Sequence, residues 1–450
     1  MEVTEKRLLL IAVVAMFSAA YWYGAVRQLL YVNTDMQETD QLSYIDYAEK
    51  LSRSHFTRVP EYNRVPLYPL IQSFFLQTDM TESRYFEVGK FNNVALSLGL
   101  LLAFGVIAAQ AIGGFSSAVL TLLTAFEVFI FKAGWFQAEL LFYFLSFVLF
   151  LLMWRTLQRP SWSRAVGVGV TAALSHLTKA SILPGLVLFL GVLAEEAIAE
   201  LVAARRSTAS TELRRRSSGF HKLLMAGGIV VVFVGVQSPY LLATKRDTGR
   251  FFYNVNSTFY LWYDSWPEAV EGTRAHGDHT GWPDLPPEQI PTPQKYLREH
   301  SLGQILTRIG KGADNVLDRV RDSYGYHRFV ALYGVLVALA AVARRQQVVR
   351  GARENLSLWL FVVLYFGGYA LLYSWYAAIA SGNRLILGQF MPLMFCLFVA
   401  LERLLGDTHL AVKGRSVSAA SAAHFFVLIL LLPDIYFVVT RRVVTIIGGY

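Results

Sequence analysis

Apolar residues in this chain gather into long, nearly unbroken blocks separated by polar stretches. Leu8–Leu30 and Leu223–Ala243 set the scale, near the ~20 residues a helix needs to cross the hydrocarbon layer of a bilayer. About eleven blocks read this way. After Leu8–Leu30 come Val88–Ala111, Phe115–Trp135, Phe136–Trp154, Ala165–Leu177, Ile182–Ala203 and Leu223–Ala243. Phe329–Val342, Leu356–Ala377, Leu385–Leu401 and Ala419–Val439 follow. Ala165–Leu177 and Phe329–Val342 are short and are expected to be broken or partly embedded. The first block outruns a signal-peptide core and has no clear small-residue cleavage site before Tyr31, so it reads as a retained helix. The pattern predicts an all-α polytopic membrane protein with two long outer loops.

Composition agrees. Hydrophobic residues make up 54% of the 450 and charged residues only 16%, against roughly 25% charged in soluble domains. The net charge of +9 falls in short segments between apolar blocks, as the positive-inside rule expects, so it reports orientation and does not imply nucleic acid. With Lys6 and Arg7 inside, four basic clusters share that side: Arg155, Arg159 and Arg164; Arg205, Arg206 and Arg214 to Arg216; Arg344, Arg345, Arg350 and Arg353; Lys413 and Arg415. The only cysteine, Cys396, excludes an intrachain disulfide and a multi-cysteine metal site.

Two outer segments remain, Tyr31–Glu87 and Lys245–Arg328, both too long to be simple connections. They divide the chain into a transmembrane module 1–244, an outer loop region 245–328 and terminal helices 329–450. In the first segment Asp35 and Asp40 lead into a helix whose Tyr44, Tyr47, Ala48 and Leu51 share one face, suited to the membrane surface. Asp40 could simply cap that helix. Arg64, Pro66, Tyr68 and Pro69 open another helix, where Arg64 snorkelling and Tyr68 anchoring would be structural roles. Charges at span ends are costly and mark sites. Glu127, Lys132 and Glu139 bracket one outer turn, His176 and Lys179 mark a second, and Arg384, in Ser381-Gly382-Asn383-Arg384, opens a late span. Carboxylates and cations at one membrane edge suit a lipid-linked phosphate, because cations stabilise charge growing on the phosphate while a carboxylate takes a proton from an attacking hydroxyl.

Asp40-Gln41-Leu42-Ser43-Tyr44 with Ala48 and Leu51, Arg64-Val65-Pro66-Leu67-Tyr68-Pro69, Gln137-Ala138-Glu139-Leu140, Leu177-Thr178-Lys179-Ala180-Ser181 and Arg384 with Pro392 form an ordered set. This set resembles the GT-C superfamily of membrane glycosyltransferases, in the branch with protein O-mannosyltransferases, aminoarabinose transferases and lipopolysaccharide-core sugar transferases. The resemblance covers roughly the first two hundred residues by motif and the rest by topology. It implies Asp40 as the catalytic base, with Asp35 as the alternative. It further implies a frame around the donor of Arg64, Tyr68, Glu139, Lys179 and Arg384, to which His176, beside Lys179 at its span end, adds a further binding candidate read from the residues alone. Gln41 stands where the family often has Glu, which bears against any role for two adjacent carboxylates.

The resulting expectation is an inverting glycosyltransferase moving a sugar from a polyprenyl-phosphate donor to a hydroxyl of a glycan, lipid or protein at the extracytoplasmic face, most simply of a bacterial inner membrane. Membrane lipids are its other partners. No cofactor is implied, although a divalent cation is compatible with Glu139. The aromatic run Phe251 to Trp266 suits an acceptor-side cover or an interfacial anchor. His276, Asp278 and His279 read as a solvated loop, and Asn256-Ser257-Thr258 fits a glycosylation acceptor pattern. A transporter or flippase would place its charges at the midplane in repeated halves, and an O-antigen ligase or polymerase would carry its match in a late outer loop.

Overall fold

The computed structural model describes residues 3–445 apart from 57, 206–208, 324, 381 and 413–414. Arg206, Ser381 and Lys413 therefore lie outside the described residues. Helix α1 (Val3–Tyr31) is followed by two short outer helices, α2 (Gln41–Arg53) and α3 (Leu67–Ser73). Then come α4 (Glu82–Ile112), α5 (Gly114–Thr124), α6 (Glu139–Gln158), α7 (Trp162–Thr178), α8 (Leu183–Ala204) and α9 (Ala209–Thr248). A short turn of helix, α10 (Val255–Thr258), lies in the second outer segment, which ends in α11 (Leu302–Asp322). The chain finishes with α12 (Tyr326–Ala343), α13 (Leu356–Tyr376), α14 (Phe390–Leu405) and α15 (Ala419–Thr440). A two-stranded antiparallel hairpin, β1 (His409–Val412) with β2 (Arg415–Ser418), precedes α15.

Among the described residues nine helices are long and apolar enough to cross a membrane. They coincide with nine of the blocks read from the sequence. The blocks at Ala165–Leu177 and Leu385–Leu401 also form helices, α7 and α14, but of 17 and 16 residues. At 1.5 Å per residue these reach only ~24–26 Å, short of the ~30 Å hydrocarbon layer. Phe329–Val342 is unbroken in α12. Helix α5 continues through a π-helical turn, Ala125–Phe129, to Ala133, and the chain then reverses over 134–138 to start α6. Gly134 is required there because a Cβ would press on the Leu29 backbone at 3.0 Å.

Chain reversal places the α6 start, the α7 end, the α8 start and the Arg384 turn at one end of the bundle, together with both long segments. The described arginines of the basic clusters lie at the opposite helix ends. The outer segments have a small core of their own, in which Tyr62 and Val65 pack with Tyr240, Tyr253, Val255, Phe259 and Tyr260. Backbone bonds join them as well: Tyr62 N–H donates to the His279 carbonyl at 2.7 Å, and Val255 N–H to that of Tyr62 at 3.3 Å.

This packing corrects three expectations. The α2 face of Tyr44, Tyr47, Ala48 and Leu51 is buried against protein rather than lying on a membrane. Tyr253, Phe259 and Tyr260 are consumed by the small core, which leaves Phe251, Phe252 and Trp266 as the exposed aromatics of that run. Asp278 is fully buried, its carboxylate accepting from Tyr260 Oη at 3.3 Å, so its stretch is not a merely solvated loop.

Helix α11 fastens the outer segment to α13. Arg308 donates to the Asp264 carboxylate at 3.0 Å and to the Trp375 carbonyl at 3.2 Å. Gly312 sits against the Ser374 carbonyl, where a Cβ would collide with backbone. Gly312→Ala is expected to push α11 off α13 and lower stability by about 1–3 kcal/mol, as overpacking does. Thermal unfolding of the purified protein checks this; an unchanged Tm would show that the helices separate freely.

Candidate active site

The site begins with a carboxylate that does not do what its position invites. Asp40 occupies the N-cap position of α2, yet its side chain accepts no capping bond. Instead it receives Arg64 at 2.6 Å on one oxygen and Arg384 on the other. Arg64 precedes α3, whose Pro66 and Pro69 lie where a helix start needs no N–H. Its guanidinium also lies 5.6 Å from the Tyr44 ring centroid. Arg384 starts a one-turn helix after Gly382, which adopts a left-handed φ of 104°. Tyr143 Oη holds the Arg384 carbonyl at 2.8 Å.

A second ion pair stands beside the first. Glu139 opens α6, where the positive end of the helix dipole favours a carboxylate. It is 2% exposed and accepts from Lys179 at 2.9 Å. Lys179 reaches it because the backbone turns extended between α7 and α8, at φ −161° and ψ 124°. Lys132 is buried nearby and feels the charges of Glu139, Arg384 and Lys179.

These groups head a cavity of about 280 Å³ lined by Asp40, Arg64, Lys179 and Arg384. Its lining includes Leu183 and Pro184 from α8 with Leu372 from α13, an apolar cleft between two membrane-length helices. Asn63, Asn256 and Tyr376, the last one turn beyond Leu372 on α13, line the cavity as well. The Tyr376 hydroxyl donates to Asn256 Oδ1 at 2.8 Å, and Asn256 Nδ2 lies 3.4 Å from the Asn63 carbonyl.

The structure thus brings Asp40, Arg64, Lys179 and Arg384 together in the lining, with Glu139 joined to them through Lys179 from just outside it, and leaves three further sequence candidates away from this group. Asp35 is exposed and accepts from the Gln37 N–H at 2.8 Å. Tyr68 is buried beneath the site, edge-on to Tyr44 and Phe136. His176 is buried against Phe233, one turn behind Lys179. Glu127 belongs to a separate cluster, 3.4 Å from Arg328, which also meets Asp434 at 2.5 Å. Sequence reasoning missed Asn63, Asn256 and Tyr376 as lining. Asn256 was singled out in the sequence only for its glycosylation pattern and its place in an aromatic run, neither of which marks a cavity lining, and Tyr376 gave no signal.

Burial alone would raise the Asp40 carboxyl, but Arg64 and then Arg384 outweigh it and hold the group far below the usual carboxylate range. Burial pulls the Lys179 ammonium below its ordinary value, and Glu139 restores part of that. Both Asp40 oxygens face guanidinium groups and Glu139 faces Lys179, so the donor set offers no pair of open carboxylates to a divalent cation. Among the described residues no group of three or more His, Cys, Asp or Glu could hold a metal.

No family model and no curated protein matches this sequence. Two solved structures are similar in shape. One is an Archaeoglobus fulgidus oligosaccharyltransferase in complex with zinc and sulfate, with 12% identity, 94% of this chain and 53% of that one covered, and a TM-score of 0.47. The other is ArnT from Cupriavidus metallidurans bound to undecaprenyl phosphate, with 13% identity, 86% and 78% covered, and a TM-score of 0.31. The chain spans about half the length of the archaeal protein. With TM-scores below 0.5, neither likeness decides this chain's family or chemistry.

The double ion pair has a pH signature. A carboxyl depressed by folding stabilises above its unfolded value, near 3.9, and that stability is lost as pH falls through the lower folded value. Asp40→Asn strands two part-buried guanidiniums and should cost about 1–3 kcal/mol at neutral pH, below the ~3–5 of a fully buried pair because all three side chains keep some solvent contact. Thermal melts of both proteins should keep that gap down to about pH 4 and narrow it only in stronger acid. A gap that closes between pH 5 and 7 would mean that Asp40 is not held by the arginines.

Proposed function

We propose that this chain is a membrane glycosyltransferase that moves a sugar from a polyprenyl-phosphate donor to an acceptor hydroxyl by an inverting displacement at the extracytoplasmic face. The observation that carries the reading is Asp40, which forgoes its helix cap for two arginines in a cavity that is also lined by the apolar side chains Leu183, Pro184 and Leu372. A phosphate is attracted to Arg384, Lys179 and Arg64, and a prenyl chain attached to it fits the cleft beside Leu183, Pro184 and Leu372.

The chemistry follows from the charges. The acceptor hydroxyl gives its proton to the Asp40 carboxylate as its oxygen bonds to the anomeric carbon. The bond from that carbon to the phosphate oxygen breaks, and its electron pair leaves with the polyprenyl phosphate. The departing phosphate gains one negative charge, which Arg384 and Lys179 stabilise without reorganising.

A carboxylate clamped by two guanidiniums is a poor base, and the donor remedies this. Its phosphate competes for the same arginines, so Asp40 regains basicity when a donor is present. Glu139 keeps Lys179 charged and aimed. The site lies at the helix ends, on the side away from the arginine clusters, which the positive-inside rule assigns to the outer face.

Transfer from a panel of radiolabelled polyprenyl-phosphate sugars, with host-membrane extract as acceptor source, tests the reading. Wild type should move label. Asp40→Asn, matched for folding by its melt, should fall by about 10²–10⁴-fold, as loss of a general base does. Full activity in Asp40→Asn refutes the base assignment. Labelled donor crossing vesicles without transfer would make the protein a transporter. Lys179→Gln should cost kcat more than KM, because its charge acts most on the departing phosphate.

A further inference from the structure

The sugar end of the cavity is a wall of neutral hydrogen-bonding groups held in place by one another. Asn256 stands at its centre: its Oδ1 accepts from Tyr376 at 2.8 Å, and its Nδ2 lies 3.4 Å from both the carbonyl and Oδ1 of Asn63. An amide has two N–H donors and an oxygen with two lone pairs, so Asn256 keeps capacity on both atoms for a ligand. The three residues come from the first outer segment, the second outer segment and the end of α13, so the wall exists only where those pieces meet.

The charge around this wall is one-sided. Arg64, Lys179 and Arg384 line the cavity, with Lys132 behind them. Asp40 is the one carboxylate in the lining, and both its oxygens face arginine. Glu139 is taken by Lys179. Glu61 stands outside the lining, and burial raises its carboxyl above its ordinary value, which the charge of Arg64 partly opposes. A phosphodiester donor brings one negative charge, which these cations absorb. An ammonium on the sugar would meet cations in the lining, where Asp40, the one carboxylate among the described lining residues, already faces two arginines.

On the glycosyl-transfer reading, we infer that the donor sugar is one without a free amine, recognised through its hydroxyls by Asn256 together with Asn63 and Tyr376. Asn256 and Tyr376 position the ring, and the cation excess rejects an ammonium-bearing sugar. Specificity of this kind joins a hydrogen-bonding wall for the right substrate to a repulsive field against the wrong one.

The test compares three donors on one polyprenyl-phosphate carrier: a neutral hexose, its 2-amino-2-deoxy analogue, and the N-acetylated form of that analogue. Binding to the full-length purified protein is read by native mass spectrometry, and transfer by label. The hexose should be favoured over the free amine by about 100-fold, the scale of a like-charge clash, and N-acetylation should recover much of the difference. Asn256→Asp places a carboxylate in the lining and should shift the ratio toward the amine by about 10-fold or more; the ratio, taken between donors on one carrier, cancels any change in phosphate binding common to both. Tyr376→Phe removes the hydroxyl that orients Asn256 and should raise KM for the hexose.

Equal handling of the hexose and the amine, or an unchanged ratio in Asn256→Asp, overturns the inference while leaving glycosyl transfer in place. Absence of transfer from every donor would defeat the reading it rests on. The binding order of the three donors would still decide whether the cavity rejects an amine.

Discussion

The arrangement at the outer end of the bundle depends on one carboxylate shared by two guanidiniums. Asp40 lies 24 residues before Arg64 and 344 before Arg384, so its ion pairs join the start of the first outer segment to a helix start near the end of the chain. None of the three charges is comfortable alone at this depth. Together they balance much of one another's charge, each arginine donating to one Asp40 oxygen. Glu139 and Lys179 form the adjoining pair, and the cavity is the space between the two pairs and the apolar cleft. Remove Asp40, and the two arginines lose the partner that draws the outer segments onto the bundle.

Much of this architecture could be read from residue order alone. The helices that cross the bilayer announce themselves by length and apolar continuity, and the arginine clusters fixed which ends share a side. Asp40, Arg64, Glu139, Lys179 and Arg384 stood out because a charge beside an apolar block needs a reason. Tyr68 and His176 stood out for the same reason and are packing residues, since an aromatic or an imidazole can be satisfied by buried rings where an arginine cannot. The α2 face was misplaced because a helical stripe of Tyr, Ala and Leu looks the same whether lipid or protein covers it. Asn63, Asn256 and Tyr376 could not be placed in the lining because neutral polar residues acquire that meaning only from what folds against them. Tyr376 closes on Asn256 from 120 positions away.

Gln41, where the motif resemblance leads one to look for Glu, has a structural role. It is fully buried and makes a reciprocal pair with Asn33, both contacts at 2.8 Å, while its Oε1 also accepts from the Phe136 N–H at 2.8 Å. Those bonds tie the approach to α2 to the turn before Glu139. A carboxylate there could not donate to the Asn33 and Asp35 oxygens and would bury a charge beside neutral groups. The amide therefore fixes the distance between the two ion pairs.

The 344-residue separation of Asp40 from Arg384 also bears on how the protein is made. A ribosome delivers Asp40 to the membrane early, whereas its second partner emerges only after most of the helices have been threaded. Until then the nascent chain carries an incompletely neutralised polar site at the bilayer edge, recognisable to the insertion and quality-control machinery as unfinished. Closure of that contact coincides with arrival of the last lining residue, Arg384, so the cavity is completed only late in synthesis.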